Sequence, residues 1–313
     1  MNGLDLSRAF FEAHGDPMLR EQFPDLLPYL AAGLFGAGSE CFGYDDEVSR
    51  DHDFEPGFCL FLPDEATVDR RAAFQLERAY AKLPKEFAGV RRAVLQPVGG
   101  ARHGVFRTDE FFRERVGTPD GTLDLSDWLA LPEQALAEAT NGVLFFDNYG
   151  AVSAMREKLS YFPEDVRLKK LAGSLLLMGQ SGQYNYRRCV AHGETGAAQL
   201  AAGEFVRNTL NTIFLLNKTY QPYYKWVFRT LRDLPVLSDA EEALVTLLSS
   251  GSSAEEAARN ADLIEELAAD VLAEVHRQSL SDAACEDLEK HAYSVNDHIA
   301  DPALRNAHIL TAM

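Results

Sequence analysis

Two aspartates one residue apart, Asp51 and Asp53, follow a Gly38-Ser39 pair after a gap of eleven residues in a chain of 313. Alternate residues of a strand share a face, so in an extended segment the two carboxylates project together. Held that close they repel unless a cation lies between them. Hard oxygen donors of this kind suit Mg²⁺, with Mn²⁺ as an alternative, and Mg²⁺ keeps phosphate oxygens among its ligands. The Gly-Ser turn answers the phosphate side of the same chemistry. Glycine lets the backbone approach a triphosphate, and the Ser39 hydroxyl and N–H donate to its oxygens. Asp51 and Asp53 are the expected metal-holding catalytic pair, and Gly38 and Ser39 the expected phosphate-binding turn.

The elements that must position these groups follow from apolar spacing. Residues 5–14 and 17–30 suit two helices, and the run Leu30-Ala-Ala-Gly-Leu-Phe-Gly36 suits a buried strand ending in glycines. Residues 51–62 give a second strand, 66–83 an amphipathic helix with Phe74, Leu76 and Tyr80 inside, and 90–98 and 104–107 weaker strands. Thr108 caps a further helix, 124–139 reads as helical, and Gly142-Val-Leu-Phe-Phe-Asp147 is a strand ending in a turn. Beyond Arg156 strand signals thin out and helical windows follow at 164–180, 197–218, 221–232, 238–249, 254–279 and 281–292. The expected fold is α/β plus α: a small mixed-sheet domain over 1–155, an all-α bundle over 156–313, and the active site in the cleft between them.

Composition narrows the class. With 48 acidic and 30 basic residues the net charge is −18, the wrong sign for a general nucleic-acid coat. No stretch reaches the roughly 18 apolar residues of a membrane span, and no signal-peptide core opens the chain. Cys41, Cys59, Cys189 and Cys285 show no CxxC spacing and read as buried or free thiols of a reducing cytoplasm, not as a zinc site.

Gly38, Ser39, Asp51 and Asp53 fall on the signature of the DNA-polymerase-β-like nucleotidyltransferase superfamily, which this sequence resembles. The longer string GSE-x-FGYDDE-x-SRDHD is similar to the bacterial DUF4037 family, and the resemblance continues through VLFFDNYGAVSAMREKLSYFPEDV and LLNKTYQPYYKW. The plan is similar to that of aminoglycoside nucleotidyltransferases. What the resemblance implies is Mg²⁺-dependent, in-line transfer of a nucleoside monophosphate from an NTP, ATP first among them. The acceptor, whether small molecule, protein or RNA, is left open.

The same resemblance implies a third carboxylate, as metal ligand or as base for the acceptor hydroxyl. Asp147, at the end of its strand, is the leading candidate, ahead of Asp109 and Glu110; an ordinary turn after a strand is its competing account. Asp45, Asp46 and Glu47 read as a solvated acidic loop. Arg50, beside Asp51, and Lys225, among the aromatics of Asn217-Lys-Thr-Tyr-Gln-Pro-Tyr-Tyr-Lys-Trp226, are the expected phosphate-binding cations. Pro222 would start a helix with Lys225 in its first turn; an inter-helix aromatic core is the alternative for this string. Two other readings stand beside catalysis: a degenerate nucleotide binder of toxin–antitoxin type, and a HEPN-like ribonuclease using Arg187-x4-His192.

Overall fold

The computed structural model describes residues 1–48, 54–92 and 102–313. They form two units, Met1–Asp124 with Leu131–Ser160, and Leu125–Ala130 with Tyr161–Met313. The first unit opens with α1 (Gly3–Phe10) and α2 (Asp16–Gln22), joined by a wide π-type turn over Phe11–Gly15. Next come β1 (Ala31–Leu34), α3 (Ser39–Phe42), β2 (Cys59–Leu62) and α4 (Arg70–Ala81). The short pair β3 (Glu86–Phe87) and β4 (Val90–Arg91) precedes β5 (Gly104–Arg107) and α5 (Thr108–Val116). After α6 (Leu125–Ala130), which belongs to the second unit, follow α7 (Glu133–Thr140), β6 (Val143–Asp147) and α8 (Ala151–Lys158).

Four strands make one mixed sheet in the order β5-β2-β1-β6. β1 is antiparallel to both neighbours, whereas β5 runs parallel to β2. Every residue of β1 and β2 is buried, as continuous apolar runs are when both faces of a sheet are covered. On one face Ala32, Leu60 and Leu62 pack with Phe10, Leu19, Leu76 and Tyr80 from α1, α2 and α4. On the other, Phe35 stacks on Phe61 at 4.9 Å, and Phe111 of α5 meets both edge-on at 5.2 and 5.0 Å. Each such ring contributes about 1.5–3 kcal/mol on burial, so the aromatic layer outweighs any single hydrogen bond here. In α4 the inward stripe is Ala73, Leu76, Ala79 and Tyr80; Phe74 sits one position off it and is exposed, contrary to expectation.

Strand direction sorts the loops into two sets. Leu34 pairs with Val143 and Gly33 with Cys59, while Cys59 lies beside Gly104. The turn after β1 therefore shares one end of the sheet with the entries to β2, β5 and β6. At the opposite end Ala31 pairs with both Phe61 and Asp147, and Leu62 lies beside Arg107.

The second unit is helical throughout: α6, α9 (Glu164–Met178), α10 (Arg187–Ala191), α11 (Thr195–Leu216), α12 (Val227–Arg232), α13 (Glu241–Ser249), α14 (Ala254–Arg277), α15 (Leu288–Asp297) and α16 (Pro302–Asn306). Helix α9 is buried nearly all round, Arg167, Lys169 and Lys170 included, as a central bundle helix is. The α/β plus α class is thus observed. Four local expectations change. The helix expected to end at 180 runs on instead, through a wide helical turn over Gly179–Tyr186. Gly182 is needed there for close approach, since a Cβ would come within 2.8 Å of Ile264 and closer still to Phe205. Pro222 opens no helix: Trp226 N–H donates to the Tyr223 carbonyl at 2.8 Å and α12 begins only at Val227. The helix expected over 124–139 breaks before Pro132, and the one expected over 281–292 begins at Leu288.

Candidate active site

The turn after β1 is anchored by Phe35 and then bends through Gly36 and Gly38, at φ 128° and 118°. Residues with a Cβ rarely adopt these angles, so glycine is what permits the bend. Asn141, just before β6, grips the bend from the side. It accepts from Gly36 N–H through Oδ1 and donates from Nδ2 to the Gly36 carbonyl, both at 2.9 Å. Arg156 of α8 in turn donates Nη2 to the Asn141 carbonyl at 2.7 Å and to that of Thr140.

Ser39 opens α3 and is buried, and its hydroxyl makes no hydrogen bond among the described residues. Glu40, next to it, is buried as well, its carboxylate folded back beside Gly38 and 3.8 Å from Arg102 Nη1. Asp45 ties the following loop to the chain start by accepting from Gly3 N–H at 2.8 Å. Its other oxygen, Oδ1, is buried without a partner among the described residues. The acidic loop is therefore pinned at Asp45, whereas Asp46 and Glu47 are exposed.

Asp51, Asp53 and Arg50 lie outside the described residues. The chain that follows them, from Phe54, enters β2 at the same end of the sheet as the Gly38-Ser39 turn. Among the described residues no group of three or more His, Cys, Asp or Glu is arranged to hold a metal ion.

The structure does not bring Asp147 to this end. It pairs with Ala31, at the start of β1, and both its oxygens are occupied: Oδ1 accepts from Gly150 N–H at 2.8 Å and Oδ2 from Ser153 N–H at 2.7 Å. These bonds satisfy N–H groups at the start of α8, so the turn-and-cap account describes Asp147. Asp109 and Glu110, in the first turn of α5 after Arg107, belong to the same far end. Thr108 caps nothing with its side chain; its hydroxyl donates to the Leu62 carbonyl at 3.0 Å.

What the sequence reading missed is His103. The residue sits just before β5, its side chain 5% exposed, with Nδ1 3.1 Å from Glu55 Oε1. Its ring packs on Gly57, where a Cβ would come within 2.6 Å of Cγ, and Nε2 is buried without a partner among the described residues. A histidine seated against glycine and oriented by a carboxylate has one nitrogen left for a ligand. No motif flags it, because Glu55 and His103 are 48 positions apart.

Two buried thiols line the same end. Burial pushes Cys41 well above the ordinary thiol range, with Glu40 adding to the effect, and burial pushes Cys59 up to about 12. Cys59 Sγ donates to the Arg102 carbonyl at 3.2 Å. Neither thiol is an activated nucleophile.

In the second unit Lys225 is exposed, in the turn before α12. Its neighbours Tyr223 and Tyr224 are exposed too, with ring centroids 4.3 Å apart, so an inter-helix core does not describe them. Lys218 pairs with Glu164 at 3.4 Å. Arg187 lies 3.8 Å from Glu265 and 4.0 Å from Asp262, and the five-residue step to His192 turns the two side chains about 140° apart on a helix.

Residues 128–227 match a family model described as Domain of unknown function (DUF4037). That stretch contains both VLFFDNYGAVSAMREKLSYFPEDV and LLNKTYQPYYKW, and the resemblance is borne out over these residues; the segment from Gly38 to Asp53 lies outside it. A search of curated proteins finds no match. Among solved structures the chain is similar to a nucleotidyltransferase-like protein from Exiguobacterium sibiricum 255-15, at 13% identity, over 90% of each chain, with a TM-score of 0.36. A likeness that loose transfers neither fold nor chemistry. Among the described residues no helix is long and apolar enough to cross a membrane.

Proposed function

We propose that the chain is a nucleotidyltransferase, moving a nucleoside monophosphate from an NTP, ATP first among them, to an acceptor hydroxyl. The observation that supports this most is topological. The strand order puts the Gly38-Ser39 turn and the entry to β2, which continues from Asp51 and Asp53, at one end of one sheet. In this reading the turn receives the phosphates through Ser39 and the backbone freed by Gly38. Asp51 and Asp53 would hold Mg²⁺, which when bound supplies charge neutralisation along the triphosphate. Asp45 Oδ1, a hard oxygen without a partner among the described residues, fits the same donor chemistry. The acceptor oxygen attacks the α-phosphorus in line, and pyrophosphate leaves with the electron pair of the broken P–O bond. For the acceptor's proton, His103 is the described side chain of suitable chemistry at this end; Asp147 is not.

The test is pyrophosphate release from each NTP with Mg²⁺, comparing wild type with Asp51→Asn and Asp53→Asn. The proposal expects release by the wild type and none by either variant, with both still folded. Full activity in both variants removes the metal pair from the mechanism. Nucleotide binding without any release supports the degenerate binder instead.

A further inference from the structure

We infer that Arg115 is a cation that grips the phosphate chain at this site. The inference deepens the nucleotidyl-transfer reading and rests on it for the identity of the anion. Helix α5 starts at the far end of the sheet and runs back, so its last turn returns Arg115 to the Gly36 bend. A Cβ on Gly36 would stand 3.9 Å from both Nε and Nη2 of Arg115. That pair of nitrogens is the edge with which a guanidinium holds a phosphate bidentately, and the glycine keeps it open.

The guanidinium is pre-set. It lies over the Phe111 ring, 3.5 Å from the centroid, and among the described residues its one hydrogen bond runs from Nη1 to the Phe111 carbonyl at 3.3 Å. Neither contact uses the Nε–Nη2 edge. Among the described residues Arg115 makes no ion pair; Glu114 and Glu138 act on it only at longer range. Arg20, Arg167, Arg232 and Arg277, by contrast, each hold a carboxylate. A half-buried charge without a counter-ion is costly unless a ligand supplies one. Burial accordingly lowers the Arg115 pKa.

A second guanidinium stands by the same bend. Arg156 lies 4.9 Å from the Phe35 ring centroid, bonds only to backbone carbonyls, and makes no ion pair among the described residues. Two uncompensated positive charges about one glycine bend suit an anion of more than one charge. A nucleoside di- or triphosphate, or pyrophosphate itself, has that chemistry.

The experiment is titration calorimetry of the full chain with inorganic pyrophosphate, in EDTA and again with Mg²⁺, for wild type, Arg115→Gln and Arg115→Lys. Loss of the charge-assisted bidentate contact should weaken pyrophosphate about ten- to a hundredfold in Arg115→Gln. Arg115→Lys restores the charge without the fork and should fall between. Pyrophosphate should raise the melting midpoint of the wild type and not that of Arg115→Gln. A readout that needs no variant is protection of Arg115 from phenylglyoxal by pyrophosphate, mapped by mass spectrometry. Equal pyrophosphate affinity in wild type and Arg115→Gln, absence of binding to the wild type, or unprotected Arg115 would each overturn the assignment. Pyrophosphate release from NTP is scored separately. Release with unchanged affinity in Arg115→Gln defeats Arg115 alone, whereas Arg115-dependent pyrophosphate binding without release keeps the anion site and defeats the transfer reading.

Discussion

Asn141 and Gly36, 105 positions apart, exchange two hydrogen bonds of 2.9 Å and so fix the glycine bend to the strand on its other side. Both partners on Gly36 are backbone groups at the edge of the core. Asn141→Leu leaves them unsatisfied, and stability should fall by about 1–3 kcal/mol, read as a shift in denaturant midpoint at constant slope. Pyrophosphate affinity should fall with it, because the bend would no longer be held over Arg115. An unchanged midpoint would mean that water replaces the amide without cost.

Gly38→Ala tests the bend itself. At φ 118° a Cβ is strained whatever the space, and here it would also meet Glu40 Oε1 at 2.6 Å. Glu40 can swing away only by leaving Arg102. The expected loss is about 1–2 kcal/mol of stability together with weakened nucleotide binding. Wild-type stability and wild-type affinity in the variant would show that the backbone reaches the same path without glycine.

Asp147 gives the contrasting case, a carboxylate spent on structure. Asp147→Ala removes the acceptor for two N–H groups at the head of α8 and should cost about 1–2 kcal/mol, whereas Asp147→Asn keeps one acceptor and should cost less. Any NTP-dependent pyrophosphate release should survive in Asp147→Asn. Its abolition in a folded variant would return Asp147 to the chemistry.

What could be read from the sequence was what is written in contiguous residues. The strand at 104–107 emerges with those bounds and the one expected over 142–147 starts one residue later, at Val143, because a short run between glycine and turn signals leaves little freedom. The helices that begin near 164, 197 and 254 emerge within a few residues for the same reason. Which strand ends share a side of the sheet was not legible, since antiparallel β6 and parallel β5 look alike in periodicity. That one fact moves Asp147, Asp109 and Glu110 away from the Gly38-Ser39 turn and brings Asn141, Arg115 and His103 toward it.

The two buried thiols set an alkaline limit on stability. Cys59 is fully buried and burial raises its pKa from 9.0 to about 12, so the folded state favours the protonated form. A folded-state pKa above the unfolded one contributes stability that is complete below about pH 9 and is lost as pH rises toward 12. At about 1.4 kcal/mol per pH unit, Cys59 alone should remove about 2 kcal/mol by about pH 10.5. Cys41, shifted in the same direction, adds to the slope. Urea unfolding at a series of pH values checks this, with Cys59→Ala expected to show a shallower decline above pH 9 than wild type. Thiol titration gives the second readout. In the native protein at pH 8, exposed Cys285 and half-buried Cys189 should react with a disulfide reagent while Cys41 and Cys59 wait for denaturant. Rapid reaction of Cys59 in the folded state, or an identical pH slope in Cys59→Ala, would contradict a sealed thiol beneath the Gly38-Ser39 end of the sheet.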